Sequence, residues 1–290
     1  MSVELVNEQS SVRVLNAHEV TSFRDDGTSF IHTVRSFLRD ASASDVTHVV
    51  LVSSTMVYGA WENNAIPLSE FDLVRPNPEC ELVCAFASAE ALVEQWRTSK
   101  PGRTATILRA APVVNRDGTS AWVTALAHAA GSEMSTSLAG AQFVHATDVQ
   151  SAVDLCAQRQ VDGIVNVAPD GYITGERLRE LAARPLQLRL PESVRSAVDG
   201  VRWNVERGPI PPGLREYVRH SWVVSNDKLK SLGWRESMTN EEAYVEGTEG
   251  SVIDGLSARR RQELALAGSV MAVLLVAKLT VSVIRRLRGR

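Results

Sequence analysis

The first candidates for chemistry in this sequence are hydroxyl groups that directly follow an apolar run. The run His48–Val52 is followed by the segment SSTMVYG, which ends in a tyrosine and a glycine. A buried strand of a parallel sheet shows this pattern where it reaches the carboxyl edge of the sheet, which is where α/β proteins bind their ligands. We therefore predict a strand from His48, with Ser54 at the edge of a candidate site.

Arg109 and His145 also stand at the ends of short β-rich segments. Arg109 closes the run Thr104–Leu108, and His145 ends the segment Gln142–His145. An imidazole can transfer protons near neutral pH, so His145 allows a catalytic interpretation. We favour a structural interpretation, in which this histidine hydrogen-bonds the loop that follows its strand.

The residues between the first two strands have the pattern of an amphipathic helix. Pro76, Asn77 and Pro78 mark a turn. The apolar residues after this turn recur at three- and four-residue spacing, namely Leu82, Phe86, Ala89, Val93 and Trp96. Strand, polar loop, helix and strand make one βαβ unit, which predicts a parallel sheet and the α/β class.

Other segments continue this alternation of strands and helices. We predict a strand at Val12–Ala17, a helix at Ser29–Ala41, a strand at Gln142–His145, a helix capped by Thr147-Asp148, a strand at Gly163–Ala168 and a helix at Thr174–Ala183.

Composition bounds the class of protein. The 290 residues are 44% apolar and 22% charged, which is ordinary for a globular chain. Cys80 and Cys84 lack a further Cys/His pair to complete four zinc ligands, so we interpret them as small helix residues and expect no metal. Basic residues do not alternate with aromatic ones, so we expect no nucleic-acid partner.

Four segments in chain order resemble the extended short-chain dehydrogenases/reductases, the NAD-dependent epimerase/dehydratase superfamily. They read LVSSTMVYGAW, PLSEFDLVRPNPE, ILRAAPVV and NDKLKSLGWRESMTNEEA, and the resemblance covers residues 12–248. It implies a doubly wound, Rossmann-like parallel sheet, an NAD or NADP cofactor and hydride transfer. The active site would be built from a serine and from a tyrosine and lysine four residues apart.

The resemblance assigns the family's serine to Ser54, but it assigns Leu82 to the tyrosine position and Phe86 to the lysine position. Neither replacement can exchange a proton or carry charge. Tyr58 matches a loop tyrosine of the family and not the catalytic one. The strand-end positions that would line a substrate pocket are Ser54, Thr55, Tyr58, Arg109, Val113, Val114 and His145.

The family's cofactor cradle also has no counterpart in this sequence. A complete member carries a glycine-rich turn that binds the pyrophosphate at a helix N-terminus. Only about eleven residues precede Val12, and no G-x-G-x-x-G or G-x-x-G-x-x-G occurs. We therefore expect an incomplete, N-terminally truncated sheet and no cofactor. The strand at Val12 would then be an exposed edge, covered by Met1–Ser11 or by a partner chain.

Later segments resemble the family's variable parts. The stretch Pro185–Pro212 resembles its substrate lid, and we place the lid region at about 185–248. Trp203, Trp222 and Trp234 are interpreted as core or lid packing. Family members dimerise through helices that match residues 29–41 and 80–98, so a homodimer is a further expectation.

The last forty residues differ in kind from the rest. We interpret 249–261 as a linker, 262–285 as a transmembrane helix and 286–290 as a basic tail. The run Leu264–Ile284 has Lys278 as its only charge and would span about 30 Å as a helix. Residues 251–290 carry a net charge of +6, against −9 for the remainder, which favours attachment to an anionic membrane.

Alternatives for this tail are a helix in the plane of the membrane and a buried dimerisation helix. Apolar residues surround the whole predicted helix, which argues against the in-plane form. Because the N-terminus shows no signal peptide, we expect the globular domain in the cytoplasm.

Two hypotheses of function follow. The first is a membrane-anchored, non-catalytic relative of the superfamily with a binding, scaffold or regulatory role. The second is an NAD(P)-dependent epimerase, dehydratase or reductase that acts on a nucleotide sugar or a lipid-like alcohol. In this second case a partner would complete the cofactor site.

Overall fold

A computed structural model describes residues 11–20, 27–44, 46–115, 123, 126, 139–181 and 212–249. Its centre is a parallel sheet of four strands. In spatial order these are β1 (Val12–Asn16), β2 (His48–Ser54), β3 (Thr104–Ala110) and β7 (Gly163–Val167). The predicted α/β class and parallel sheet are confirmed.

Helices and short strands connect and extend this sheet. The helices are α1 (Ala17–Val20), α2 (Thr28–Ala43), α3 (Glu81–Thr98), α4 (Ala146–Arg159), α5 (Gly175–Leu181), α6 (Arg215–Arg219), α7 (Asp227–Ser231) and α8 (Asn240–Glu249), with 3-10 turns at Thr55–Tyr58 and Pro212–Leu214. The short strands are β4 (Val113–Val114), β5 (Gly140–Ala141), β6 (Val144–His145) and β8 (Ile173–Thr174).

Helical segments cover both faces of the sheet. Side chains alternate along a strand, so Arg109 and Thr106 of β3 lie on opposite faces. Arg109 contacts Glu90 of α3, whereas Thr106 hydrogen-bonds the carbonyl of Val161, just after α4. All seven residues of β2 are buried, as expected for a central strand of a doubly wound sheet.

The two pairs of short strands extend the sheet's carboxyl edge. β4 follows β3 after two residues and pairs with β6 in parallel, with Val114 opposite His145. β5 and β8 form an antiparallel pair. Ser54, Ala110 and Val167, which end β2, β3 and β7, are all buried.

Residues 212–249 are built firmly onto the sheet. The buried Asp148, in the first turn of α4, accepts hydrogen bonds from the backbone N–H of Ser237 (2.8 Å) and of Met238 (3.2 Å). The hydroxyl of Tyr217 donates to the carbonyl of Met56 (2.9 Å). Trp222 and Trp234 are buried, in agreement with the packing role predicted for them. Trp203 and the predicted lid up to residue 211 lie outside the described residues.

One predicted helix start is wrong. The pair Thr147-Asp148 does not cap α4, which already begins at Ala146. The cap is His145, whose Nδ1 accepts a hydrogen bond from the backbone N–H of Thr147 (3.3 Å). An imidazole nitrogen can replace the usual hydroxyl or carboxylate oxygen because the helix needs only an acceptor at this point.

None of the described helices is long and apolar enough to cross a bilayer. The linker, transmembrane helix and basic tail predicted at 249–261, 262–285 and 286–290 lie almost wholly outside the described residues. The same is true of Met1–Ser10, so the expected truncation and the covering of the β1 edge stay predictions.

Candidate functional site

Ser54, the position that matches the family's serine, lies at the carboxyl end of β2 and is buried. Its Oγ accepts a hydrogen bond from the backbone N–H of Met56 (3.2 Å) and so caps the 3-10 turn Thr55–Tyr58. The hydroxyl of Thr55 donates to the carbonyl of Ala110 on β3 (3.3 Å). Both hydroxyls therefore hold the end of the strand, while Ser54 keeps a proton that it can donate.

The positions that match the catalytic tyrosine and lysine lie inside the core. Leu82 and Phe86 are buried on α3. The Phe86 ring packs edge-to-face against Phe30 of α2, with 5.5 Å between ring centres, and lies 5.9 Å from the ring of His18. Phe86, the position that the resemblance assigns to the family's lysine, is thus packed among aromatic rings.

A close approach of two helices holds this aromatic cluster. Gly27, just before α2, has φ of 79°, and a Cβ atom there would lie only 2.2 Å from the Cβ of Ala85 on α3. Only glycine meets both demands. The close contact between Gly27 and Ala85 brings α2 and α3 together, so that the rings of Phe30 and Phe86 pack against each other.

His18 closes the cluster from the side of β1. Its Nε2 lies 2.9 Å from the carbonyl oxygen of Ser53, so this nitrogen carries the proton and donates it. Burial lowers the pKa of His18 to about 4, and the hydrogen bond to Ser53 only partly offsets that effect. The imidazole is therefore neutral at physiological pH.

A row of polar side chains crosses the sheet on the α3 face, at the level where β2 ends. Ser53, Arg109 and Asn166 are neighbours in register on β2, β3 and β7. Glu90 of α3 lies over the row, accepting from the Ser53 hydroxyl (2.7 Å) and from Arg109 Nη2 (2.7 Å). Arg109 and Glu90 have side-chain exposures of only 2% and 7%. The pair is a buried ion pair with additional hydrogen bonds.

Tyr58 joins the other end of this row. Its hydroxyl donates to Asn166 Oδ1 (2.8 Å), and the Arg109 guanidinium lies 4.6 Å from its ring centre. Burial raises the pKa of Tyr58 to about 12, although the Arg109 charge opposes that effect. This phenol keeps its proton at neutral pH and has no easy phenolate form, unlike a catalytic tyrosine beside a lysine.

Glu70 completes the network from the loop after β2. Its Oε1 accepts a hydrogen bond from the backbone N–H of Asn166 (2.9 Å), on the outer edge of β7. Lys228 Nζ donates to the carbonyl of Ile164 (2.5 Å), and Asn226 Nδ2 donates to that of Ala168 (2.9 Å). Side chains thus satisfy backbone groups that another strand could otherwise pair with.

The remaining predicted pocket residues form a second group. Val113 is half-buried and Val114 is buried. The carboxylate of Glu246 lies 3.9 Å from His145 Nε2, and the Thr147 hydroxyl lies 2.7 Å from His145 Nδ1. The favoured structural interpretation of His145 fits this geometry. The structure thus holds Tyr58 and Arg109 together but places His145 with Val114 on the short strands.

Sequence reasoning missed Glu90, Asn166 and Glu70. The signal for Glu90 was present: it lies four residues after Phe86 and three before Val93, on the apolar face of the predicted helix. A carboxylate there predicts a buried cation, and Arg109 was the candidate. Asn166 and Glu70 carried no such signal, because their roles depend on tertiary contacts.

The described residues do not fit the family's dinucleotide. The position that the resemblance assigns to the ribose-binding lysine is Phe86, which is buried and packs against Phe30 and His18. The three cysteines are free thiols, and burial raises the pKa of Cys80 and Cys156 to about 11. Neither of these two thiols is a ready nucleophile.

Comparison with known proteins gives a fold and no closer relationship. The chain matches no known family model. It also matches no curated protein. Among solved structures, RMD from Pseudomonas aeruginosa, complexed with NADPH, is 17% identical with a TM-score of 0.60, covering 85% of this chain and 81% of that one.

Two further structures are similar to the same degree. The Bordetella bronchiseptica enzyme WbmG, in complex with NAD and UDP, is 17% identical with a TM-score of 0.56, covering 86% of this chain and 77% of that one. The UDP-N-acetylglucosamine 4-epimerase from Bacillus cereus is 15% identical with a TM-score of 0.55, covering 84% and 78%. Similarity at such identities shows a shared Rossmann-like α/β fold.

Proposed function

We propose that this chain is a non-catalytic member of the NAD-dependent epimerase/dehydratase superfamily that is anchored to a membrane and serves a binding, scaffold or regulatory role. The observation that carries the non-catalytic part is the burial of Phe86 against Phe30 and His18. The position that the resemblance assigns to a catalytic lysine is therefore part of the hydrophobic core.

Catalysis in this superfamily depends on lowering a phenol's pKa with a nearby cation. Leu82 supplies no phenol, and Phe86 supplies no cation. Tyr58 cannot substitute, because burial raises its pKa to about 12 and its hydroxyl is committed to Asn166. Arg109 cannot supply a free positive charge, because the Glu90 carboxylate neutralises it. The retained Ser54 can donate a hydrogen bond, but a hydrogen bond alone transfers no proton or hydride.

The membrane part of the proposal rests on the sequence. Leu264–Ile284 is long and apolar enough to span a bilayer, and arginines flank it on both sides. A basic tail attached to an acidic domain is suited to an anionic membrane surface. In this proposal the α/β domain is held at the membrane in order to bind a small molecule or a protein.

Turnover assays test the non-catalytic part directly. The full chain in detergent would be incubated with UDP-glucose or UDP-N-acetylglucosamine and with each nicotinamide cofactor, and the products separated by chromatography. We expect no epimerised, dehydrated or reduced product. The variant Leu82→Tyr/Phe86→Lys should also give none, because its lysine would be buried against Phe30 and His18 and not held beside a substrate.

Product formed by the native chain and abolished in Ser54→Ala would contradict the proposal. That result would mean that Ser54 acts in a working site whose proton donor differs from the family's. Lys100→Ala is a suitable control variant, because Lys100 is exposed between α3 and β3, at the edge of the sheet opposite Ser54.

A further inference from the structure

The loop after β2 exposes large apolar side chains. Phe71 is 95% exposed and Leu73 is 76% exposed, and Ile66 and Val74 are each 40% exposed. We call the segment Ile66–Val74 the apolar loop. Single exposed apolar residues are common on protein surfaces, but a contiguous group with a nearly fully exposed phenylalanine marks an interaction surface.

Polar contacts at its base hold the apolar loop in place. The backbone N–H of Leu68 donates to the carbonyl of Val223 (2.8 Å), and the N–H of Ser225 donates to the carbonyl of Leu68 (2.8 Å). The N–H of Arg75 donates to the carbonyl of Val57 (3.0 Å). These backbone hydrogen bonds fix the position of the loop that carries the exposed side chains.

The two acidic side chains of the apolar loop are half-buried and hydrogen-bonded, whereas Phe71 and Leu73 face solvent and Leu68 is buried in the core. Glu70 accepts from the backbone of Asn166 (2.9 Å), and Asp72 Oδ2 accepts from the N–H of Ser69 (2.7 Å). Phe71 and Leu73 alternate with these two carboxylates and face solvent. The charges that would oppose insertion into a lipid layer are thus used to hold the loop.

The residues beside the loop suit a membrane–water interface. The indole N–H of Trp61 donates to the carbonyl of Arg75 (2.7 Å), and the guanidinium of Arg75 lies 5.7 Å from the Trp61 ring centre. Tryptophan and arginine are typical of the zone between lipid tails and water, where one end of a side chain is dry and the other wet.

The apolar loop and the exit of the chain lie at the same edge of the sheet. Glu70 contacts Asn166, near the carboxyl end of β7. At the end of α8, Gly247 packs on Val114, where a Cβ atom would lie 2.6 Å from the Cβ of Val114. Twelve residues, 250–261, separate the end of α8 from the transmembrane helix predicted at 262–285, and fully extended they can span at most about 40 Å.

We propose that the apolar loop contacts the lipid surface of the membrane in which the C-terminal segment is anchored, with Phe71 and Leu73 inserted at the level of the lipid headgroups. This inference rests on the membrane attachment in the proposed function and adds a second, apolar contact to it. The contact depends on apolar burial and not on charge, so it is insensitive to salt.

Depth-dependent quenching tests this contact on the full chain in phosphatidylcholine liposomes. A Phe71→Cys variant carries an NBD fluorophore, in a Cys84→Ser background because Cys80 and Cys156 are buried. The matched control places the label at Lys100→Cys, which is exposed between α3 and β3, at the opposite edge of the sheet. Lipids that carry a nitroxide near the top of the acyl chain serve as quencher.

The expected result is a blue-shifted emission of the residue 71 label and quenching of about two-fold or more by the nitroxide lipids, with little quenching at residue 100. Both signals should persist in high salt. Adding Leu73→Asp should reduce the quenching at residue 71. Tryptophan fluorescence of the variants checks that they fold.

Three outcomes would overturn the inference, and flotation of the liposomes separates them. If the chain floats with the liposomes but the residue 71 label is as little quenched as the control, the anchor stands and the loop contact fails. If a blue shift appears without quenching and grows with protein density, a second copy covers the loop. If the chain does not float, the membrane attachment itself fails, and the loop contact with it.

Discussion

Breaking the buried ion pair between Glu90 and Arg109 should destabilise this fold more than any loss of a surface pair. Arg109 Nη2 and Glu90 Oε2 are 2.7 Å apart, with side-chain exposures of 2% and 7%. Arg109→Met leaves a buried carboxylate whose remaining donor is the Ser53 hydroxyl. We expect a loss of about 3–5 kcal/mol of unfolding free energy, a large part of the 5–15 kcal/mol of a typical domain.

The double variant separates the pair's coupling from the loss of packing. Glu90→Met/Arg109→Met removes both charges and keeps apolar volume, so it should cost less than either single variant. The exposed pair Glu94–Arg97 is a matched control, with N–O distance 2.6 Å and exposures of 51% and 31%. Arg97→Met also removes the ion pair of Arg97 with Asp162 (3.1 Å), and it should still cost no more than about 1 kcal/mol because all three side chains are partly exposed.

Equilibrium urea unfolding of the full chain in detergent, followed by tryptophan fluorescence, measures these differences. With a slope of about 3 kcal/mol per molar urea, a loss of 4 kcal/mol lowers the midpoint by roughly 1.3 M. The reasoning is refuted if Arg109→Met costs no more than Arg97→Met, or if the double variant costs the sum of its two singles.

Three further predictions concern stability. Burial lowers the pKa of His18 and of His48 to about 4, against 6.5 when unfolded, although the charge of Asp162 opposes the effect at His48. Below pH 6.5 these imidazoles take up protons in the unfolded chain but not in the folded one, so the free energy of unfolding should fall as the pH is lowered from 6.5 towards 4. Urea midpoints measured across this pH range would show the fall, and a flat profile would contradict the prediction. Gly213→Ala should cost about 1–3 kcal/mol in urea unfolding, because a Cβ atom there would lie 2.3 Å from the carbonyl oxygen of Glu79 and 2.8 Å from the Cα of Cys80. Gly102→Ala meets no atom within 4 Å but has a φ of 84°, so it measures the cost of left-handed backbone strain without crowding, about 1 kcal/mol; a cost at Gly213 smaller than this would show that crowding is not important there. Phe86→Lys should cost about 3 kcal/mol or more, because it buries an ammonium group among Phe30 and His18, whereas Phe86→Leu should cost about 1 kcal/mol; near-equal melting temperatures for the two variants would show that the site is not closed core.

The regular core of this fold could be predicted from local patterns. The continuous apolar run at His48 and the three- and four-residue spacing around Phe86 are physical consequences of burying a central strand and one face of a helix. The observed β2 extends the predicted run by two residues at its end, and α3 extends the Leu82–Trp96 pattern by one residue at its start and two at its end. Element ends depend on caps, and the His145 cap shows why they escape prediction: its imidazole was not expected as an acceptor.

The candidate site was predictable only in part. The assignment of Ser54, Leu82 and Phe86 to the family's site positions stays a prediction from the resemblance; the structure adds that Ser54 ends β2 and that Leu82 and Phe86 are buried. Predicting Glu90 as the partner of Arg109 would require the register of three strands and the orientation of α3 about its axis. A local sequence pattern contains neither. The roles of Asn166 and Glu70 likewise depend on which side chain meets which backbone edge.

The proposed non-catalytic role implies that this chain neither binds nor uses a nicotinamide cofactor. Calorimetric titration of the full chain in detergent with NADH and with NADPH tests that claim most directly. We predict no saturable heat of binding for either cofactor up to millimolar concentration. Saturable binding at micromolar concentration would contradict the account, because the aromatic cluster around Phe86 would then have to open or a cradle of another kind would have to exist.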